Sequence, residues 1–140
     1  MKHNLLRILA LVTIIFAVAF SSNPPDGRTG APGDGLCSNC HSAGSQQGNV
    51  EITGVPGTIV PGQTYNIGII STTNTNSSLG GFQMVVLDVN DENIGTLTNP
   101  SAASTVTPAG NGRTYHEHQP AIGFGGGPTV SWSVDWTAPT

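Results

Sequence analysis

The chain has 140 residues, enough for one domain, with 8 acidic residues against 4 Lys and Arg and a formal net charge of −4. Beyond Lys2 and Arg7 the only remaining cations are Arg28 and Arg113, so the surface repels phosphate backbones and nucleic acid is excluded as a partner. With 19 Gly and 10 Pro, long helices are not expected either.

The first segment, "MKHNLLRILALVTIIFAVAF", places Lys2 and Arg7 ahead of an apolar run and is followed by the polar "SSNPPDG". This is the layout of a secretory signal peptide over residues 1–21, with Ala17, Ala19 and Ser21 supplying the small residues that a signal peptidase requires. The run is short for a membrane span, and no stable span is expected after cleavage. The mature chain is then secreted: extracellular, on the cell surface or periplasmic.

Residues 22–48 are dense in Gly and Pro and carry no sustained apolar period, which predicts an irregular N-terminal arm. The pattern then changes to short β segments over residues 49–140. "NVEIT" is a first strand; "TYNIGIIST" follows, with Tyr65, Ile67 and Ile69 on one face. "GGFQMVVLDVN" puts Phe82, Met84 and Val86 on one face and Val85, Leu87 and Val89 on the other, as expected of a strand covered on both sides. "NDEN" is a turn leading into "IGTLT", residues 99–112 read as a loop or poor edge strands, and "GRTYHEHQ" is a further strand. "TVSWSVDWTAP" alternates cleanly, with Val130, Trp132, Val134 and Trp136 pointing one way. The fold class is therefore all-β, a β-sandwich. Its strand inventory is low, and the expectation is that a last strand is missing after "WTAPT".

Both cysteines lie in "CSNCH", Cys37 to His41. Covalent attachment of a c-type heme needs two thiols about one helical turn apart, with a histidine directly following to ligate iron, and this spacing meets all three requirements. Cys37 and Cys40 are the candidate thioether links and His41 the proximal iron ligand. Export agrees, since such attachment is made outside the cytoplasmic membrane. Two other readings stay open. A Cys37–Cys40 disulfide closes a very small loop and removes little unfolded-state entropy. Zinc could take Cys37 and Cys40 with His116 and His118 as a tetrahedral set, which leaves His41 without a role. For a sixth iron position the candidates are His116, His118 and Met84; Met84 lies in the densest apolar segment and reads more simply as core.

The segments "NPPDGRTGAPGDGLCSNCH", "PGQTYNIGI", "GGFQMVVLD", "YHEH" and "WSVDWTAP" together resemble the Reeler-type (reelin-like) β-domain of exported bacterial proteins described as carrying a choice-of-anchor V domain. The resemblance covers about residues 23 to 140. It implies an immunoglobulin-like sandwich and, through CxxCH, a covalent heme. The family's histidine upstream of the Trp-containing strand corresponds, by the pattern Tyr-x-x-His, to His118, which is favoured over His116 as distal ligand. Full-length members commonly continue into a C-terminal sorting tail after the segment that corresponds to "WTAPT".

Two functions compete. One is a monoheme c-type protein in electron transfer or redox sensing, with a redox partner protein. The other is a non-enzymatic adhesion or spacer module of a larger surface protein, its cysteines pinning the arm as a disulfide or as zinc ligands. No serine, histidine and aspartate set at recognisable spacing and no nucleotide-binding loop competes as an enzyme site, and "GFGGGP" lacks the context such a loop needs.

Overall fold

The structure, a computed structural model, describes residues 23–41, 48–74 and 79–140. The expected signal peptide lies outside the described residues. The fold is all-β, with antiparallel strands arranged as two facing sheets and a short ribbon.

The first sheet has the order β1-β2-β9-β5, formed by β1 (Gly48–Thr53), β2 (Thr64–Thr73), β9 (Thr129–Thr137) and β5 (Thr96–Thr98). The second has the order β4-β7-β6, formed by β4 (Gln83–Met84), β7 (Thr114–His118) and β6 (Ser104–Pro108). The ribbon pairs β3 (Leu79–Gly80) with β8 (Ile122–Gly123).

The two-residue period decides which side chains enter the core. In β2, Ile67 and Ile69 are buried, and they pair in register with Val134 and Trp132 of β9. All four apolar residues of β9 are buried as the alternation predicts. From the facing sheet Phe82 packs on Trp132 with ring centroids 4.7 Å apart, and Met84 joins the same cluster. Trp136 stacks on Tyr65 and donates from Nε1 to the Ile94 carbonyl at 3.0 Å, which satisfies its buried N–H.

The last strand, β9, is paired on one side with β2 and on the other with β5. One expectation from sequence is revised. The "GGFQMVVLDVN" segment is not a long strand covered on both sides. Its ladder is confined to Gln83–Met84, and Val89 is 98% exposed. The cause is local, because the Asp88 carboxylate accepts the backbone N–H groups of Asn90 and Glu92 and turns the chain there. The arm carries backbone bonds of its own. A Thr29–Leu36 bridge and the Gly30 N–H to Gly35 carbonyl bond fold it into a small loop, which docks on the outer face of the second sheet.

That docking explains β7, where Tyr115, His116 and Glu117 are all buried in succession. His116 faces the core, edge-on to Phe82 with ring centroids 4.7 Å apart. Tyr115 and Glu117 face the arm: the Tyr115 hydroxyl donates to Asp34 Oδ1 at 3.0 Å, and Glu117 accepts from Asn23, Gln83 and Thr107.

Candidate functional site

"CSNCH" forms a single turn. Cys37–Asn39 is a 3₁₀ helix in which the Asn39 side chain accepts the Leu36 N–H at 3.1 Å, and the N–H groups of Cys40 and His41 both reach the Cys37 carbonyl, at 3.2 and 3.1 Å. Asn39, between the two cysteines, thus closes the turn. Both thiols are free and exposed, and Cys37 Sγ lies 3.4 Å from the Arg28 carbonyl.

This turn forms one wall of a cleft of ≈ 810 Å³, a volume within the range of cofactor pockets. Cys37, Cys40 and His41 line it from the arm, together with Pro24, Pro25 and Arg28. The sandwich lines it with Gly80, Gly81, Phe82, Ala121 and His118. The prolines and Phe82 give it apolar walls, and the charged groups among the lining residues are Asp26 and Arg28.

His118, the last residue of β7, is fixed at one ring nitrogen. Its Nδ1 is 2.9 Å from the Phe82 amide nitrogen and 3.0 Å from the Phe82 carbonyl oxygen. Nδ1 accepts the Phe82 N–H in one tautomer and donates to the Phe82 carbonyl in the other; the second tautomer leaves the lone pair on Nε2, the arrangement usual for a metal-binding imidazole. No hydrogen-bond partner engages Nε2 among the described residues. Gly81 makes room for the ring: a Cβ built there would lie 2.6 Å from His118 Cε1 and 2.7 Å from Nδ1.

His116, the alternative distal ligand, lies elsewhere. It is 0% exposed, Nε2 is bonded to Ser104 Oγ at 3.0 Å, and it does not line the cleft. Burial holds its pKa down to about 4, so it is neutral at pH 7. Met84 is a core residue facing His116 across the β4–β7 ladder. Among the described residues no group of three or more His, Cys, Asp or Glu side chains is placed to hold a metal ion, so the four-residue set of Cys37, Cys40, His116 and His118 is not gathered.

The residues that dock the arm were missed in the sequence. Asp34 and Arg113 pair at 2.7 Å, and Arg113 Nη2 also donates to the Pro32 and Asp91 carbonyls at 2.6 and 3.2 Å. Gln83 accepts the Arg28 N–H and donates to both the Pro25 carbonyl and Glu117. The available signal was an acid, Glu117, inside an otherwise strand-like "TYHEH"; a buried carboxylate demands partners. No helix of the described residues is long and apolar enough to cross a membrane. No family model matches the chain, and no curated protein or solved structure matches it at a significant level.

Proposed function

We propose that the chain is an exported monoheme c-type protein, Reeler-like in its β-domain, that exchanges electrons with a partner protein outside the cell. One observation carries the reading: Cys37, Cys40 and His41 share a single cleft with His118, a residue from the far end of the sequence whose Nδ1 is already tied to the backbone. Heme, when bound, supplies one-electron exchange at its iron.

Cys37 and Cys40 would hold the porphyrin as thioethers, each thiol adding its sulfur to one carbon and its hydrogen to the other carbon of a vinyl group, with no oxidant consumed. Exposure of Cys37 and Cys40 leaves both sulfurs accessible for that step. His41 and His118 would hold the iron, with Pro24, Pro25 and Phe82 as apolar walls of the cleft. An iron held by both imidazoles would favour electron exchange over oxygen chemistry. The surface-module reading gives the cysteines the task of pinning the arm. That task is already done by Asp34 with Arg113 and by Gln83 with the backbone of Arg28 and Pro25.

The test is expression with a c-type maturation system, followed by a heme stain on a denaturing gel and intact mass. A covalent band and the added mass of one heme are expected, and His118→Ala should change the visible spectrum of the loaded protein. A colourless product with Cys37 and Cys40 disulfide-linked sinks the proposal in favour of the adhesion or spacer module, and a colourless product carrying zinc does so in favour of a structural metal.

A further inference from the structure

The geometry points to Arg28 as a carboxylate clamp in the cleft: within the heme reading, on which this inference rests, it holds a propionate of the porphyrin.

Three observations meet at this residue. First, Arg28 lines the cleft beside Cys37, and its backbone is held on both sides, its N–H bonded to Gln83 Oε1 and its carbonyl approached by Cys37 Sγ. Its backbone is therefore anchored next to the first attachment point. Second, its Nε is buried with no hydrogen-bond partner, a costly condition for a charged donor. The cleft's carboxylate, Asp26, makes no ion pair with it among the described residues. Third, the other described cation, Arg113, is neutralised by Asp34, which leaves Arg28 as the unpaired positive charge of the described chain. Space is reserved for it as well: a Cβ at Gly35 would fall 2.5 Å from Arg28 Nη1, so the residue opposite must be glycine for the guanidinium to lie where it does.

A guanidinium with no ion pair among the described residues, on a residue that lines a mostly apolar cleft, matches a carboxylate, which accepts two parallel bonds from such a planar fork. Porphyrins of this class carry two such groups on one edge.

Two measurements test the clamp. In the heme-loaded chain, Arg28→Gln should lower the midpoint potential and move its pH dependence to higher pH, because a propionate without its cation ionises less readily. In the unloaded chain, ferric protoporphyrin should bind about tenfold more tightly than its dimethyl ester, and Arg28→Gln should erase that preference. An unchanged potential and pH profile in a loaded variant, or equal affinity of the wild-type chain for acid and ester, overturns the clamp alone. Failure of the wild-type chain to take heme under competent maturation overturns the functional reading and the clamp with it. The wild-type comparison of acid and ester needs no variant to fold.

Discussion

Arg113 Nη1 meets Asp34 Oδ1 at 2.7 Å with the two side chains 13% and 2% exposed, so a nearly dry ion pair fastens the N-terminal arm to the start of β7. Tyr115 adds a hydrogen bond to the same carboxylate oxygen. A pair this well covered is a poor source of net stability compared with apolar packing, but breaking one side of it is expensive, since the remaining charge stays buried. Arg113→Met is expected to cost about 3–5 kcal/mol in urea unfolding and to expose the arm to limited proteolysis. Adding Asp34→Asn to that variant should recover part of the loss. A single variant with wild-type stability would show that the arm is held by other contacts.

Gly81 sets the position of the His118 ring. Gly81→Ala places a methyl group against Cε1 and Nδ1 of that ring, while Gly81 itself is exposed and lies outside the strands. Stability should change by less than about 1 kcal/mol. The visible spectrum of the heme-loaded protein should nevertheless move toward that of His118→Ala. A spectrum identical to wild type would mean that the ring is not required where the structure places it.

The pH response follows from His116. Its folded pKa of about 4 lies below the ordinary imidazole value of 6.5, so between those values the unfolded chain binds the proton and the folded chain does not. Stability therefore rises with pH across this window and is lost as pH falls from 6.5 toward 4, by roughly 3 kcal/mol over the full range. Denaturant midpoints of the unloaded chain at pH 7, 5.5 and 4.5 should trace this slope, and His116→Leu should flatten it. A slope unaltered by that substitution assigns the effect to other groups.

In the core, Trp132 should be the most sensitive position of β9. It faces Phe82 across the sheets and is nearly inaccessible, so Trp132→Ala is expected to cost about 3–5 kcal/mol. Its buried Nε1 has no partner, unlike that of Trp136. Trp132→Phe, which keeps an aromatic ring and removes the orphaned donor, should therefore cost much less than Trp136→Phe. Equal losses at the two positions, read by thermal or urea unfolding, would contradict this.

The parts of this fold that were legible in the sequence are those governed by local period. Ile67 and Ile69 in β2, and the four apolar residues of β9, could be assigned to the core from alternation alone. CxxCH likewise states its own spacing. What could not be read is what depends on non-local pairing. The insertion of β9 between β2 and β5 follows no rule of chain order. Asp88 shortened β4 through side-chain bonds to its own backbone neighbours, a competition that apolar pattern does not register. β7 concealed its burial, because its polar residues are covered by the arm and not by an apolar layer. The cleft inherits this division: its arm half was visible as a motif, whereas Arg28, Gly81 and the tether on His118 appear only when the chain is folded.

Because β7 turns the His116 imidazole to the core and the Tyr115 hydroxyl and Glu117 carboxylate to the arm, it works as a partition shared by two rooms. Randomised libraries aimed at new ligand preferences should leave those five residues untouched and vary Leu79, Ala121 and Asp26 at the rim instead. Val89, at the tip of a turn that closes on itself, is the natural point for a dye or an electrode tether, since nothing packs against it.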